Sequence, residues 1–452
     1  MLENDTIVAI ATASGVGAIS IIRLSGPEAL SIAKKITKKD ILKPRYTHLS
    51  KIYDASEELI DESLVIYFKA PFSFTGEDVV EFQCHGGLAL TDMILQTTLD
   101  FGARIANPGE FSKRAYFNEK IDLSQAQAIS KLIEAKSADG VKLLARQLKG
   151  ELKEFVDEIR QDLLFILAYV EVSIDYAEED LPTDILDQIH TKLKKTKLKL
   201  EHTLESSQRR ESLIEGFKVA IVGKPNVGKS SLLNKLLNYD RAIVSDIAGT
   251  TRDTIEENIK IGSHIIKIVD TAGIREADDA IEKIGIEKSK EAIEEADIVV
   301  ALFDNSRFYD NEDKQIIHLI NTTQKDVITV LNKCDLEAKF DQTHLEKIDV
   351  ALSISKNLES DNTKKLIEHL KSFLDNNSSV SEGTMLVSKS QVSSVFNTLE
   401  HIITSKQMLD ENSLEFFAHH ISEALESISK ITRPYETNQM LDVMFGEFCL
   451  GK

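Results

Sequence analysis

The sequence predicts a multidomain protein of mixed class, with two domains that combine strands and helices and one all-helical domain that is split in two. The chain has 452 residues and a hydrophobic content of 42%, which suffices for two or three domains with their own cores. Its residue pattern changes character three times along the chain. A block that alternates strands and helices separates two blocks of helical periodicity, so we expect this block to be inserted into the helical domain, with its ends close in space.

Residues 1–118 contain four short β-rich runs between turn residues, namely TIVAIATA, AISIIRLSG, SLVIYFKA and DVVEFQCHG. This mixture predicts an N-terminal α/β or α+β domain. In residues 119–215 the apolar residues are spaced by threes and fours among strong helix formers, which predicts the first part of the helical domain. Pro182 lies where a second helix of this part is expected to begin.

Residues 216–376 alternate the apolar runs FKVAIVG, HIIKIVDT, DIVVALFD and VITVLN with helical segments. This alternation is the signature of a parallel sheet wound with helices. Residues 377–452 return to helical periodicity in SSVFNTLEHIITSKQML and EFFAHHISEALESISKI. The two helical segments therefore form one discontinuous helical domain in the predicted architecture.

Composition limits the possible functions. The formal net charge of -20 argues against a protein that coats nucleic acid by electrostatics alone, since phosphate affinity comes from clustered cations. Two basic clusters are present, and each is interpreted either as a solvated helix face or as a local nucleic-acid contact. They comprise Lys34, Lys35, Lys38 and Lys39, and then Lys192, Lys194, Lys195, Lys197 and Lys199.

The expected compartment is the cytoplasm, with no membrane span. No apolar run approaches the roughly 18 residues needed to cross a bilayer, and the opening MLENDTIVAI has no basic leader. The three cysteines are Cys84, Cys334 and Cys449, which are far apart and odd in number, so reduced thiols are expected.

A phosphate-binding loop is predicted where the third segment begins. The run FKVAIVGKPNVGKSSLLNKLL gives a strand, the loop Gly223–Ser230 and a helix. Glycines let backbone N–H groups wrap phosphate oxygens, and Lys229 reaches the outer phosphates while Ser230 ligates magnesium. The alternating segment is therefore predicted to be a Ras-like P-loop G domain.

Two further motifs follow in the order that this fold requires. Asp270-Thr271-Ala272-Gly273 ends a strand, where a carboxylate holds the magnesium shell and a glycine amide senses a terminal phosphate. In Asn332-Lys333-Cys334-Asp335 the aspartate is placed to accept two hydrogen bonds from guanine, which adenine does not offer, so the nucleotide is predicted to be GTP. Ser353-Ile354-Ser355 resembles a last base-contacting loop, although its usual alanine and glycine are absent.

The complete predicted GTP-binding set follows from these motifs and from the loop SDIAGTTRDTIEE between them. It comprises Asn226, Val227, Gly228, Lys229, Ser230, Ser231, Ser245, Asp246, Ile247, Ala248, Gly249, Thr250, Thr251, Asp270, Thr271, Ala272, Gly273, Asn332, Lys333, Asp335, Ser353, Ile354 and Ser355. From the residues alone, either threonine of the pair is a candidate magnesium ligand.

The catalytic water-positioner is less obvious. Many GTPases carry a glutamine directly after D-x-x-G, but this chain has Ile274 there. Glu282 is the best candidate for the missing group, because a mobile loop can bring its carboxylate back over the site. The alternative is an ordinary acidic residue near a helix start, where a negative charge is favoured.

These features together resemble the potassium-dependent GTPases that are activated when two G domains dimerise. The resemblance rests on Asn226 in the phosphate loop, GTTRD, and Ile274 in place of glutamine. It implies that Asn226, Ser245, Ile247 and Thr250 bind K⁺, the two middle residues through backbone carbonyls, which leaves Thr251 and Ser230 for Mg²⁺.

The whole chain resembles the MnmE (TrmE) family of tRNA-modification GTPases. The family's N-terminal signatures are matched by DTIVAIATASGVGAISIIRLSGPEA, FSFTGEDVVEFQCHGG and NPGEFSKRAYFNEKIDLSQAQAI, and its C-terminal motif by FCLGK. Ala13-Ser14 and Phe74 depart from the usual residues of the first two signatures. The resemblance also places Glu282, in DAIEKIGIE, at the general-base glutamate of the family.

The resemblance implies a function and a set of partners. Family members act at the wobble uridine of certain tRNAs, in a heterotetramer with a flavin-dependent subunit called MnmG or GidA. They install an aminomethyl or carboxymethylaminomethyl group at carbon 5, and the one-carbon unit comes from 5-formyl- or 5,10-methylene-tetrahydrofolate. A homodimer is implied, with the N-terminal domain carrying the folate site and taking part in dimerisation.

Five residues outside the G domain are singled out by the resemblance. Arg23, Glu81 and Lys120 match positions assigned to folate contact, and the alternative for each is a surface ion pair. Cys449 and Lys452 belong to the C-terminal motif, and no chemical step is assigned to the thiol.

Two other functions share the G motifs. A ribosome-assembly GTPase would carry nearly the same phosphate loop, but such proteins usually add an RNA-binding module or a second G domain. A scaffold that only binds nucleotide predicts that Glu282→Ala leaves GTP turnover unchanged.

Overall fold

A computed structural model gives the fold of most of the chain. The structure describes residues 5–13, 15–135, 137–175, 183–239, 257–262, 264–269, 284–354, 362–378, 384–410 and 413–433. The strands are β1 (Ile7–Ile10), β2 (Ile19–Ser25), β3 (Thr47–Tyr53), β4 (Leu59–Phe68), β5 (Val79–His85), β6 (Arg104–Ile105), β7 (Phe217–Val222), β8 (Glu257–Ile261), β9 (His264–Val269), β10 (Ile298–Asp304), β11 (Asp326–Asn332) and β12 (Val350–Ala351). The helices are α1 (Ala29–Thr37), α2 (Leu88–Asp100), α3 (Glu110–Phe117), α4 (Leu123–Glu134), α5 (Ala138–Leu148), α6 (Glu151–Asp175), α7 (Thr183–Glu215), α8 (Lys229–Tyr239), α9 (Ile284–Glu295), α10 (Asn311–Thr322), α11 (Asn362–Ser378), α12 (Lys389–Asp410) and α13 (Leu414–Ser429).

The first sheet has six strands in the order β3-β4-β5-β2-β1-β6. All neighbours are antiparallel except β1 and β6, which are parallel. Of the two classes that the sequence left open for this segment, the structure therefore has the α+β arrangement. The register pairs Arg23 of β2 directly with Glu81 of β5, which brings two candidate site residues side by side.

Apolar side chains cover both faces of this sheet. On one face the alternating residues of the strands pack with α1 and α2 in a core that includes Ile22, Ile32 and Phe82, all buried. On the other face Phe111 of α3 packs against a smaller buried cluster. Period-two burial along β4, in which Ser63, Val65 and Tyr67 are buried, shows why this segment forms a strand.

The second sheet also has six strands, in the order β12-β11-β10-β7-β9-β8. Its strands are parallel except for the antiparallel β8–β9 pair. Every residue of β10 is buried, as expected for a central parallel strand that is covered by helices on both faces. This topology confirms the predicted Ras-like α/β class of the third segment.

The helical segments form the remainder of the described chain. Helix α13 packs against both α12 and α6, so the C-terminal helices lie beside the central ones, as predicted for a discontinuous helical domain. By spatial contacts the chain divides into two compact units, with residues 1–130, 147–200 and 388–452 in the first and 131–146 and 201–387 in the second. The predicted boundaries at 118, 215 and 376 stay predictions. None of the helices in the described ranges is long and apolar enough to cross a membrane.

Candidate nucleotide-binding site

The phosphate loop lies between β7 and α8, at the carboxyl edge of the second sheet. Lys229, the first residue of α8, turns its ammonium back into the loop, where Nζ donates to the carbonyl oxygens of Gly223 at 2.6 Å and Lys224 at 3.0 Å. Asn226 has a φ of +62°, in the left-handed region that asparagine tolerates better than most residues. At Gly228 a Cβ atom would lie 2.3 Å from Nδ2 of Asn332, so only glycine fits there.

The end of β11 is tied to this loop by two side chains. Asn332 Nδ2 donates to the carbonyl oxygen of Val227 at 2.8 Å, although the two residues are 105 positions apart. Lys333 Nζ donates to the carbonyl oxygen of Asn226 at 2.8 Å and to Oδ2 of the buried Asp304 at 2.6 Å. Side-chain hydrogen bonds therefore connect the phosphate loop directly to the predicted base-binding loop.

The predicted base-contacting residues meet at the same edge. Ser353 Oγ donates to Oδ1 of Asp335, and the backbone N–H of Ile354 donates to Oδ1 of Asn332 at 3.3 Å. The backbone N–H of Cys334 donates to the carbonyl oxygen of Leu352 at 3.0 Å, which fixes the two loops against each other. The Asp335 carboxylate is thus oriented by a hydroxyl donor, as a group that accepts hydrogen bonds from guanine requires.

An additional cation inside the phosphate loop was not recognised in the sequence. The side chain of Lys224 is 3% exposed, and its Nζ lies 2.8 Å from Asp310 Oδ2 and 2.7 Å from Asp313 Oδ2. Both carboxylates belong to the capping box of α10, in which each side chain accepts from the backbone N–H of the other residue. An ion cluster in which Lys224 and Asp313 are buried and Asp310 is half exposed therefore joins the phosphate loop to the start of α10.

Burial and hydrogen-bonded partners shift the pKa values of this cluster in opposite directions. Burial lowers the pKa of Lys224, but its hydrogen bonds to Asp310 and Asp313 outweigh burial and raise it. Burial disfavours ionisation of Asp310, but hydrogen bonds from Lys224 and the backbone lower its pKa. Asp313 is more deeply buried, and burial raises its pKa in spite of Lys224. Its Oδ1 has no hydrogen-bond partner among the described residues.

Sequence reasoning also missed Asp304, which ends β10 and holds Lys333. Hydrogen bonds from Lys333 and Ser306 offset the burial of Asp304 and lower its pKa, so it is an anion at neutral pH. The available signal was the acidic run after β10 in DNSRFYDNED, since polar residues at the carboxyl end of a buried parallel strand face the ligand side of such sheets.

Many predicted site residues lie outside the described residues, and their roles stay predictions. They are Ser245, Asp246, Ile247, Ala248, Gly249, Thr250, Thr251, Asp270, Thr271, Ala272, Gly273, Glu282, Ser355, Cys449 and Lys452. Among the described members, Ser230 and Ser231 lie exposed in the first turn of α8.

The residues present fit a magnesium-bound nucleoside triphosphate. Gly228 admits no side chain, Lys229 directs its ammonium into the loop, and Ser230 lies in the first turn of an 11-residue helix. When bound, Mg²⁺ neutralises charge on the phosphate oxygens. In that state Lys229 would hold the outer phosphates, Ser230 would ligate the ion, and Asp335 would hold the base.

The candidate folate residues lie in the first sheet. Arg23 Nε donates to Glu81 Oε1 at 2.8 Å, and its guanidinium lies 5.8 Å from the centre of the Phe111 ring. Lys120 follows α3, and its Cε would lie 3.0 Å from a Cβ atom at Gly76. The structure therefore pairs Arg23 with Glu81, an arrangement that an ordinary cross-strand ion pair and a ligand site share.

The fold and this site together define a P-loop GTP-binding protein. Residues 6–120 match the family described as GTP-binding protein TrmE N-terminus, and residues 123–449 match the MnmE helical domain. The tRNA modification GTPase MnmE of Aliarcobacter butzleri (strain RM4018) is 66% identical to this chain, and that of Sulfurimonas denitrificans (strain ATCC 33889 / DSM 1251) is 59% identical, with 100% of this chain and 100% of each relative covered. The chain therefore belongs to the MnmE family, which confirms the resemblance seen in its motifs.

Solved structures add little to this assignment. The crystal structure of Era in complex with MgGDPNP and nucleotides 1506–1542 of 16S ribosomal RNA is 29% identical to this chain, covering 41% of this chain and 66% of that one. Its TM-score is 0.26, which supports no inference about function.

Proposed function

We propose that this chain is the GTPase subunit of an enzyme that modifies carbon 5 of the wobble uridine of certain tRNAs. The observation that carries the proposal is full-length identity of 66% to a relative named as a tRNA modification GTPase, in a chain whose phosphate loop and Asp335 loop are joined by hydrogen bonds. The proposed product is an aminomethyl or carboxymethylaminomethyl group, made in the cytoplasm with the flavin-dependent MnmG subunit. The one-carbon unit comes from a tetrahydrofolate held by Arg23, Glu81 and Lys120.

The proposed hydrolysis uses both the described and the remaining G motifs. Lys229 contacts the outer phosphates, while Ser230 and Thr251 would ligate Mg²⁺. Asp335 selects guanine. In a dimer of G domains, Asn226, Ser245, Ile247 and Thr250 would hold K⁺. A cation there would supply positive charge for the transition state, with the electrostatic effect of an arginine finger. Glu282 positions the attacking water.

The domain assignment belongs to the same proposal. Residues 1–118 form the folate-binding and dimerisation domain, 119–215 and 377–452 form the helical domain, and 216–376 form the G domain. Cys449 and Lys452 are assigned to the modification site without a chemical step.

Nucleoside mass spectrometry of total tRNA tests the function. A strain that lacks this gene is expected to lose the 5-substituted wobble uridines, and a restored wild-type copy is expected to return them. Unchanged uridines together with a ribosomal subunit defect would contradict the proposal and point to an assembly switch.

The role of potassium is tested on the purified protein. Turnover of GTP is expected to be much faster in potassium than in sodium, and Asn226→Ala is expected to lose this activation while it keeps GTP binding. Asn321→Ala, the same change at an exposed position of α10, serves as the control. Equal rates in both salts would remove the ion from the mechanism, and unchanged turnover in Glu282→Ala would remove the general base.

A further inference from the structure

Two exposed segments of the first unit lie against each other beside β4. The backbone N–H of Arg45 donates to the carbonyl oxygen of Tyr67 at 2.7 Å, and Arg45 Nη2 donates to the carbonyl oxygen of Phe72 at 3.2 Å. These contacts bring the segment 43–46 beside the segment 69–72. We call the exposed basic and aromatic side chains of these segments the basic-aromatic patch, which consists of Lys43, Arg45, Tyr46, Lys69 and Phe72.

The two aromatic rings of the patch are exposed and lie under cations. Tyr46 is 57% exposed and Phe72 is 70% exposed. Lys43 Nζ lies 5.8 Å from the centre of the Tyr46 ring, and the guanidinium carbon of Arg45 lies 5.9 Å from the centre of the Phe72 ring. Large aromatic side chains usually contribute to cores and interfaces, so two exposed rings with cations above them indicate a binding surface.

The cations of the patch are not neutralised within the described part of the chain. Lys43, Arg45 and Lys69 have no ion pair there, and Asp78, which contacts this loop, accepts from the backbone N–H of Ala70 at 2.8 Å. In each of the two lysine-rich clusters, by contrast, at least one lysine is paired with a carboxylate. Lys38 pairs with Glu57, Lys192 with Asp162, and both Lys195 and Lys199 with Glu158.

A chain with a net charge of -20 that keeps three unpaired cations around two exposed rings offers local attraction for a polyanion. Single-stranded nucleic acid has both groups that fit, because its phosphates meet the cations and its unstacked bases cover the rings. Base-paired nucleotides do not fit as well, since their faces are already stacked within the duplex.

We propose that the basic-aromatic patch binds single-stranded nucleotides of the tRNA substrate. Bases stack on Tyr46 and Phe72, while Lys43, Arg45 and Lys69 contact phosphates. This proposal rests on the proposed function, since it supplies a tRNA-binding surface on this subunit.

The test is fluorescence anisotropy of a labelled anticodon stem-loop RNA, titrated with the full chain, alone and together with the flavin-dependent subunit. Tyr46→Ala and Phe72→Ala are each expected to weaken binding about tenfold, the usual effect of removing one stacking ring. In Lys43→Glu/Lys69→Glu, affinity is expected to fall and the slope of log K against log salt to flatten by about 1.4, because a single-stranded phosphate contact contributes about 0.7. GTP turnover without RNA is expected to stay at the wild-type rate.

Lys153→Glu/Lys406→Glu is the matched control, since both lysines are exposed on helices of the same unit and the change in charge is equal. If the patch variants bind RNA like the wild type, the proposed RNA-binding role of the patch is wrong. If wobble modification still depends on the gene in that case, the proposed function stands. If the variants no longer bind the flavin-dependent subunit but still bind RNA, the patch is a protein-docking surface, and its proposed RNA-binding role is also wrong. If the wild-type chain binds no RNA in either setting, the patch is wrong, and nucleoside mass spectrometry then decides the proposed function separately.

Discussion

Within the described residues, both units contain a buried cation that is paired with carboxylates, but the two cations join different parts of the molecule. Arg114 in α3 is 1% exposed and contacts Asp5, Glu77 and Glu110, which join the start of β1, the loop before β5 and α3. Lys224 contacts Asp310 and Asp313 and joins the phosphate loop to α10. The buried cation of the first unit therefore stabilises the fold, whereas that of the second unit positions the nucleotide site. The difference arises because only Lys224 belongs to a loop that is expected to bind the ligand.

The largest expected effect is the loss of stability in Arg114→Leu. The change leaves three carboxylates without their common partner, and removing one member of a buried ion pair costs about 3–5 kcal/mol. Hydrogen exchange measured peptide by peptide is expected to show this loss in the free energy of opening of the first sheet, while GTP affinity stays unchanged.

Arg104→Leu is the matched control for this prediction. Arg104 contacts two of the same carboxylates, Asp5 and Glu110, but its side chain is 35% exposed, so its loss is expected to cost less. If both variants lose the same free energy, burial of the cation is not the reason for its importance.

The second prediction concerns Lys224→Met. The carbonyl oxygen of Lys224 accepts from Lys229 Nζ, so a displaced Lys224 moves the ammonium that is expected to meet the phosphates. A hydrogen bond to a charged group contributes about 1.5–3 kcal/mol, and part of this is transmitted to the ligand, so GTP affinity is expected to fall about tenfold. Equilibrium titration with a fluorescent GTP analogue measures the change.

Lys224→Arg is expected to keep the affinity within about threefold, because a guanidinium can bridge the same two carboxylates. A role confined to folding predicts instead that Lys224→Met lowers the stability of the second sheet and leaves the affinity of the folded protein intact. That outcome would make the two buried cations equivalent and remove the contrast between the units.

The nucleotide site and the two ion clusters differ in how much of each could be predicted from the sequence. Residues that form one contiguous motif, such as Gly228, Lys229 and Ser230, were predicted because a loop between a strand and a helix is a local structure. Asn332 and Asp335 were predicted from the Asn332–Asp335 motif, which is also local. The sheet order then accounts for the hydrogen bond of Asn332 to Val227 in the phosphate loop and for that of Asp335 to Ser353.

The ion clusters could not be predicted in this way. Lys224 and Asp313 are 89 positions apart, and Arg114 and Asp5 are 109 positions apart, with no motif that links them. Arg23 and Glu81 meet only because β2 and β5 pair in one particular register. Such contacts depend on tertiary packing, which no short pattern specifies.

The third prediction is that acid destabilises the Arg114 cluster more than the Lys224 cluster. Burial opposes ionisation of Asp5 and Glu110, but hydrogen bonds from Arg104 and Arg114, with a backbone N–H added at Glu110, lower both pKa values. A carboxyl with a lowered folded pKa stabilises the fold above its ordinary pKa, near 4, and that contribution is lost as the pH falls through the folded value. The first unit is therefore expected to lose stability below about pH 4.5.

In the second unit the two carboxylates act against each other. Asp310 has a lowered pKa and loses its contribution in acid, whereas Asp313 has a raised pKa, so protonation in acid relieves an unfavourable buried charge. Hydrogen exchange at pH 7 and at about pH 3, below the ordinary carboxyl pKa and corrected for the intrinsic rate, is expected to show the larger loss in the first sheet. A larger loss around β7 and α10 would reverse the assignment.

The smallest expected effect is at an exposed counterpart of these clusters. Glu158 of α6 pairs with Lys195 and Lys199 of α7, but the Glu158 side chain is 45% exposed. Solvent already screens this charge, and holding long side chains in one geometry offsets the attraction, so Glu158→Gln is expected to leave the exchange protection of α6 and α7 unchanged within error. A loss as large as that of Arg114→Leu would show that the number of paired charges, and not their burial, sets the stability of this chain.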